Sequence, residues 1–277
     1  MESKYIKLSS ADVRLPKRAR NSHKSHYGKL LILGGAVGYT GAVSLCARSA
    51  VRSGAGLVSV GVPEEIYPII AMKLDEPMPF PIKRPPEYEA VAERLGASTV
   101  CVIGPGMGRS EDTVAFVKDV LRHSQIPTVV DADGLFAVKD RLDLLHGKVI
   151  TPHAGEFVRL GGNVTGDPVT DAKAFADTHG CTVVLKGHET VVAFPNGAVY
   201  LCAVGNPGMA TGGSGDVLAG IIGGLLGQLP HEQAVLYGVL LHGAAGDLCA
   251  EELGEYAMTP SDIIGALPKV MKERTER

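Results

Sequence analysis

Short apolar runs rich in branched residues recur along the chain at 30–33, 57–62, 99–103, 128–130, 149–151 and 182–185. They show no regular alternation with polar residues, so both of their faces must be covered, which is the pattern of parallel strands held between helices. Between them, at 41–52, 64–74, 111–123 and 172–179, apolar residues return every three or four positions, the period of an amphipathic helix. The alternation predicts an α/β fold, a doubly wound three-layer α/β/α sandwich around a mostly parallel central sheet. One segment breaks the rhythm: residues 190–194 and 198–202 flank Pro195-Asn196-Gly197, the signature of an antiparallel hairpin. Three more helices are predicted near 217–226, 232–253 and 261–272, the last opened by Thr259-Pro260-Ser261. The proline-rich piece 76–86 reads as a surface loop and not as a linker, because strand and helix patterns resume on both sides of it. With no internal repeat either, residues 1–277 are expected to form a single domain.

Composition narrows the choice of partner. The 35 glycines gather at the ends of the apolar runs, where a fold with many strand-to-helix turns needs them. A formal net charge of -3 gives no global attraction to nucleic acid or to an anionic membrane, which leaves small molecules as the expected ligands. The five cysteines are odd in number, scattered and free of any C-x-x-C pair, so they read as reduced thiols in a cytoplasmic protein. The polar N-terminal stretch lacks an apolar signal core, and the uncharged run 217–228 is too short to span a bilayer. Neither export nor membrane anchoring is expected.

The strongest chemical signal lies at 206–220, which reads NPGMATGGSGDVLAG. Gly212, Gly213 and Gly215 strip away side chains around Ser214, and the helix that follows aims its unpaired N–H groups and positive dipole end at the same place. An oxyanion fits there. Asp216 falls in the first helical turn, where a carboxylate repels a phosphate, so its presence suggests a task such as accepting a proton from an attacking hydroxyl. The bland alternative is an ordinary helix-start aspartate. No G-x-x-x-x-G-K-[ST] occurs, and no G-x-G-x-x-G follows the first strand, which makes a Walker loop or a dinucleotide fingerprint a poor description.

Residues 206–220 resemble the anion-hole signature of the ribokinase-like superfamily and, within it, of the ADP- or ATP-dependent NAD(P)H-hydrate dehydratases. The resemblance extends over roughly 15–265. It includes His23-Lys24, with Ser25 where that motif has glycine, then the 28–35 segment GKLLILGG and Tyr39-Thr40-Gly41-Ala42. It continues through GPGMG at 104–108, DADGL at 131–135, TPHAGE at 151–156 and KGHET at 186–190. What it implies is a stand-alone repair lyase that dehydrates the S epimer of NADH or NADPH hydrate. The hydroxyl is first phosphorylated from ADP, or alternatively ATP, with Mg2+ as cofactor, and elimination of phosphate then restores the nicotinamide ring. Asp216 would be the catalytic base, and the backbone of Gly212, Gly213, Ser214 and Gly215 the anion hole. Ala42, Gly106, Gly108, His153 and Asp216 would contact the substrate. Lys186, Gly187, His188, Glu189, Thr190 and Gly215 would bind the adenine nucleotide. A homo-oligomer, a tetramer, is also implied.

Each of these residues has a plainer reading. The glycine loops are turns, His153 caps one, and Lys186 is a solvated strand-end lysine. Asp131 and Asp133 either orient loops or approach magnesium through water, and Glu156 is a lone candidate beside them, so no protein metal ligand is assigned. The basic residues Lys17, Arg18, Arg20, His23 and Lys24 read as a solvated face, with a phosphate clamp as the alternative. His242, inside an apolar helix, reads as a core or interface histidine. The rival functions are a small-molecule kinase of the hydroxyethylthiazole or hydroxymethylpyrimidine type, and a nucleotide sensor without catalysis. An Asp216 beside bound phosphate disfavours the sensor.

Overall fold

In the computed structural model each of these apolar runs forms a strand of one sheet. The structure describes residues 5–276, so the two ends of the expected 1–277 domain lie outside the described residues. In chain order the elements are β1 (Ile6–Leu8), β2 (Lys29–Leu33), α1 (Thr40–Arg52), β3 (Leu57–Pro63), α2 (Tyr67–Lys73), β4 (Met78–Ile82) and α3 (Glu89–Ala97). There follow β5 (Val100–Ile103), α4 (Glu111–His123), β6 (Thr128–Val130), α5 (Asp133–Ala137), β7 (Val149–Ile150), α6 (Ala154–Arg159), α7 (Pro168–His179) and β8 (Thr182–Leu185). The chain closes with β9 (Thr190–Ala193), β10 (Val199–Cys202), α8 (Ser214–Leu226), α9 (His231–Leu253) and α10 (Pro260–Glu273).

The sheet has ten strands in the order β1-β10-β9-β8-β7-β6-β5-β2-β3-β4. All pairings are parallel except β8 with β9 and β9 with β10. Successive side chains of a strand point to opposite faces, and β2 shows the consequence. Leu30 and Ile32 join the core under α1, α8, α9 and α10, while Leu31 and Leu33 join the core under α3, α4 and α7. Leu31 and Ile32 are fully buried, so truncating either to alanine should remove about 2–5 kcal/mol.

Helix boundaries follow local chemistry. Ser110 accepts a hydrogen bond from Thr113 N–H to open α4, whose first turn is acidic and last turn basic. Asp167 caps α7 ahead of Pro168, and Gly180 closes it in the left-handed conformation. Helix α8 is buried on nearly every side and lies against α1 so closely that a Cβ at Gly220 would sit 2.1 Å from the Cys46 carbonyl oxygen. That contact seats the middle of α8 against the middle of α1.

Two edge elements differ from the sequence reading. The 76–86 segment is not a loop: it contains β4, with Phe80 and Ile82 buried and Met78 and Pro81 exposed. Its prolines misled the expectation, yet proline is tolerated on an edge strand with no outer neighbour to bond. β1 is only three residues long, too short for any periodicity to mark, and pairs with β10 at the opposite edge. The hairpin at 195–197 is present, and residues 186–189 form a second turn because β8 and β9 are themselves antiparallel.

Candidate active site

The parallel strands end on one side of the sheet, where the loops after β5, β6, β7 and β8 meet the start of α8. A cavity of about 740 Å³ opens there, lined by Asp131, His153, Lys186, Gly213, Ser214 and Asp216 among others. Crevices at the carboxyl ends of strands are the usual ligand sites of such sheets.

Asp216 is the third residue of α8. Ser214 N–H returns to the Thr211 carbonyl, whereas among the described residues the N–H groups of Gly212, Gly213, Gly215 and Asp216 find no protein acceptor. Three of these free donors, on Gly213, Gly215 and Asp216, and a helix N-terminus converge on one end of the cavity, the makings of an anion site. Lys186 closes it: a Cβ built on Gly215 would lie 3.2 Å from Lys186 Nζ, so glycine keeps the ammonium against the loop backbone.

That ammonium is held by carboxylates. Lys186 Nζ donates to Asp131 Oδ1 at 3.2 Å and lies 3.8 Å from Glu156 Oε2. Asp131, 1% exposed, also accepts from Thr151 Oγ1 at 2.7 Å, so its charge is satisfied from two sides. Burial opposes the Lys186 charge, but Asp131, Glu156 and Asp216 outweigh it and hold the lysine pKa above its usual value. For Asp216 the balance goes the other way. Burial, reinforced by Asp131, pushes its carboxyl up to about 7, with Lys186 pulling against them. A carboxyl that titrates near neutrality is suited to taking and returning a proton.

The backbone around Asp131 is over-determined. A Cβ at Gly104, whose φ is +124°, would fall 1.8 Å from the Asp131 carbonyl oxygen, so only glycine fits there. Ala132 has φ +48°, the only positive-φ non-glycine residue described, and it lines the cavity. Strain of this kind costs of order 1–3 kcal/mol and clusters at functional sites. Asp133 then accepts from Gly108 N–H at 2.9 Å and from Arg109 Nε at 2.7 Å, tying the 104–108 loop to α5.

His153 both caps α6 and faces the cavity. Its Nδ1 accepts from Gly155 N–H at 3.0 Å, which in the neutral ring leaves the proton on Nε2. Glu156 completes the capping box by accepting from His153 N–H at 2.9 Å. The turn-capping role and the cleft-facing role therefore belong to one residue.

The remaining candidates divide among the walls. Gly187, His188 and Thr190 line the cavity, but the Glu189 side chain pairs with Lys7 at 3.1 Å and borders a smaller cavity beside α6 and α7. Gly212 is exposed and lies outside the lining. Ala42, in the first turn of α1, and Gly106 and Gly108, on the loop after β5, also stand outside it. There a Cβ at Gly106 would come within 2.9 Å of Ala42 Cβ. The basic arm does not reach the cleft: Arg18 stacks on Tyr27 at 3.7 Å and bonds to Gln228 at 2.7 Å.

Sequence reasoning missed part of the wall. Val204, Met209 and Val239 give the cavity its apolar end, and Asn206 is anchored there by Asp247 of α9 at 3.1 Å. His242, expected as a core or interface histidine, is buried, and its Nε2 lies 3.3 Å from Ser214 Oγ inside the cleft. Asn206 and Met209 fall inside the 206–220 signature, whereas no one-dimensional signal places Val239 or His242 at the cleft, because α9 reaches it only through its packing on α8.

The NAD(P)H-hydrate dehydratase family profile matches residues 30–269. The chain belongs to that family. It is similar to a bifunctional NAD(P)H-hydrate repair enzyme of Moorella thermoacetica, 42% identical over 95% of this chain and 53% of the relative. It thus spans about half the length of the bifunctional family members it matches. An ADP-dependent (S)-NAD(P)H-hydrate dehydratase of Neisseria meningitidis is 36% identical over 86% of this chain and 82% of the relative. Among solved structures, the ADP/ATP-dependent NAD(P)H-hydrate dehydratase of Bacillus subtilis co-crystallised with ATP/Mg2+ superposes with a TM-score of 0.77. It is 30% identical and covers 95% of this chain and 99% of its own. In this chain the ribokinase-like sandwich with its antiparallel hairpin is the scaffold of the cleft just described.

Proposed function

We propose that the chain dehydrates the S epimer of NADH or NADPH hydrate at the expense of ADP or ATP, residues 1–277 acting as one unit. One observation carries the reading: Asp216, poised near neutrality, stands beside free backbone donors in a cleft that also holds Lys186. The substrate hydroxyl oxygen attacks the terminal phosphorus of the nucleotide, its proton passes to Asp216, and AMP or ADP departs. The ring carbon–oxygen bond of this phosphate ester then breaks, phosphate leaves with the bonding electrons, the neighbouring ring carbon gives up a proton, and the dihydronicotinamide double bond returns. Gly212, Gly213, Ser214 and Gly215 offset the charge on the migrating phosphoryl group. Ala42, Gly106, Gly108 and His153 border the substrate, with Lys186, Gly187, His188 and Thr190 along the nucleotide. Glu189 contributes its backbone to that turn.

Among the described residues no three metal-ligating side chains converge, and Asp131 and Glu156 are committed to Lys186 and its neighbours. Such a site suits magnesium bound mainly by phosphate oxygens and water, its ordinary preference. When bound, the ion would neutralise charge on the nucleotide phosphates. The five buried free cysteines are compatible with a reducing compartment, and we infer a homotetramer in the cytoplasm.

Incubation with ADP or ATP, magnesium and the S hydrate tests the reading through the return of reduced-nicotinamide absorbance. Accumulation of a stable phosphorylated product would instead indicate a small-molecule kinase. Nucleotide binding without turnover would indicate a sensor.

A further inference from the structure

We propose that His242 is a positioning residue of the phosphoryl site: it donates its Nε2–H to Ser214 Oγ and so turns the serine's own proton toward the bound phosphate. The inference rests on the dehydratase reading for the identity of that phosphate. Ser214 opens α8 and His242 sits midway along α9, 28 residues later, yet both line the same cavity. Each is 8% exposed, and their side-chain atoms meet at 3.3 Å.

The meeting is built into the packing. A Cβ at Gly238 would lie 2.6 Å from Ile222 Cγ1, and one at Gly243 would lie 2.3 Å from Val204 Cγ2. Small residues on both sides of His242 therefore let α9 press against α8 and against the 204–209 segment together. The imidazole is left as the polar group of α9 that reaches the start of α8.

The pair has two possible hydrogen-bond directions, and the surroundings choose between them. If Ser214 donated to the imidazole, its oxygen would present only lone pairs to the cleft, facing an anion held by the neighbouring amides. If the imidazole donates, the serine proton is free to serve as another donor for that anion. A charged imidazolium would serve less well beside Lys186, and burial keeps His242 neutral, its pKa pushed down to about 4. Hydrogen-bond chains strengthen when each member donates onward, and here the chain runs from α9 through Ser214 into the phosphoryl site.

A double-mutant cycle separates this role from simple packing. Ser214→Ala and His242→Phe are each expected to lower kcat by roughly ten- to a hundredfold, the scale of one hydrogen bond to an ionised group. The double variant should be no slower than the slower single one, because both remove the same donor. His242→Gln, which keeps an N–H within reach of Ser214, should recover most of the rate. If the phenylalanine variant does not fold, His242→Asn, smaller and too short to reach Oγ, takes its place. Losses that multiply in the double variant, a glutamine variant as slow as phenylalanine, or an unchanged kcat with only a lower Tm would each overturn the proposal. Calorimetric titration of the same variants with inorganic phosphate gives a second readout that needs no turnover. Weaker binding in both single variants without further loss in the double supports the relay, and unchanged binding counts against it. A wild-type chain that binds phosphate but regenerates no reduced nicotinamide refutes the dehydratase reading and leaves the relay to be judged on binding alone.

Discussion

Replacing Asp216 with asparagine should slow turnover severely and at the same time stabilise the fold at alkaline pH. The physical reason is the displaced titration of this carboxyl, which burial and Asp131 raise from 3.8 to about 7. A group whose folded pKa lies above its unfolded value contributes stability that is full below the unfolded pKa and is lost as pH rises through the folded one. For Asp216 the loss falls between about pH 4 and pH 7. At about 1.4 kcal/mol per pH unit, the displacement corresponds to about 4 kcal/mol at most. The cleft is open to water, which screens part of it, so about 2 kcal/mol is the expected gain at pH 8. Asparagine is nearly isosteric and does not titrate. The difference in Tm between variant and wild type should therefore be small at about pH 4 and reach about 4–8 °C at about pH 8, using about 2–4 °C per kcal/mol for a chain of this size. Scanning calorimetry at the two pH values measures it, and the rest of the protein's titration cancels in the comparison. A gap that is flat with pH, or a variant less stable than wild type at pH 8, would refute the account of how the carboxyl is poised.

Three further outcomes follow from the same geometry. kcat/KM should fall on the acid side with a midpoint near pH 7, because the base must be ionised to accept the hydroxyl proton, and Asp216→Asn should lose about 10²–10⁴-fold in rate and that limb with it. Lys186→Met removes the one positive charge that pulls the Asp216 pKa down, so any residual activity should show its acid limb moved to higher pH, alongside weaker nucleotide binding by calorimetry. Thr151→Val leaves Asp131 without its 2.7 Å donor while keeping the shape, and chemical denaturation should show a loss of about 1–3 kcal/mol.

Much of this architecture was legible in one dimension because its causes are local. The runs at 30–33, 128–130 and 182–185 are apolar on both faces, and the structure places them in the buried middle of the sheet. Gly212 to Asp216 could be read as an anion site because unpaired helix N–H groups and absent side chains are properties of the segment itself. The misreadings lie where a neighbour decides. β4 holds two prolines that are harmless only because it is an edge strand, and β1 needs β10 beside it to be a strand at all. His242 reads as a core or interface histidine and is indeed buried; what the apolar pattern of its helix does not carry is the close approach of α9 to α8 that brings it to Ser214. The pairing of Lys186 with Asp131, 55 positions away in sequence, is likewise not a local property, since it depends on β6 and β8 ending at the same level.

That attachment explains why the cleft contains a usable base. A lysine placed beside a lone aspartate would pair with it, depress its pKa and leave a carboxylate too weakly basic to compete for a hydroxyl proton at neutral pH. Here the ammonium is engaged by Asp131, itself fixed by Thr151, and faces Glu156 on another side. Asp216 is not within ion-pair distance of Lys186, so it feels the lysine charge through space while burial and the other carboxylates dominate. The arrangement sacrifices stability at the start of α8 to keep one proton acceptor unpaired. Asp131→Asn isolates that logic. Removing its charge frees Lys186 toward Asp216 and withdraws a repulsive carboxylate, so the acid limb of kcat/KM should move below pH 7. A limb that stays in place would mean that burial alone sets the base and that the Lys186 to Asp131 pair has no part in tuning it.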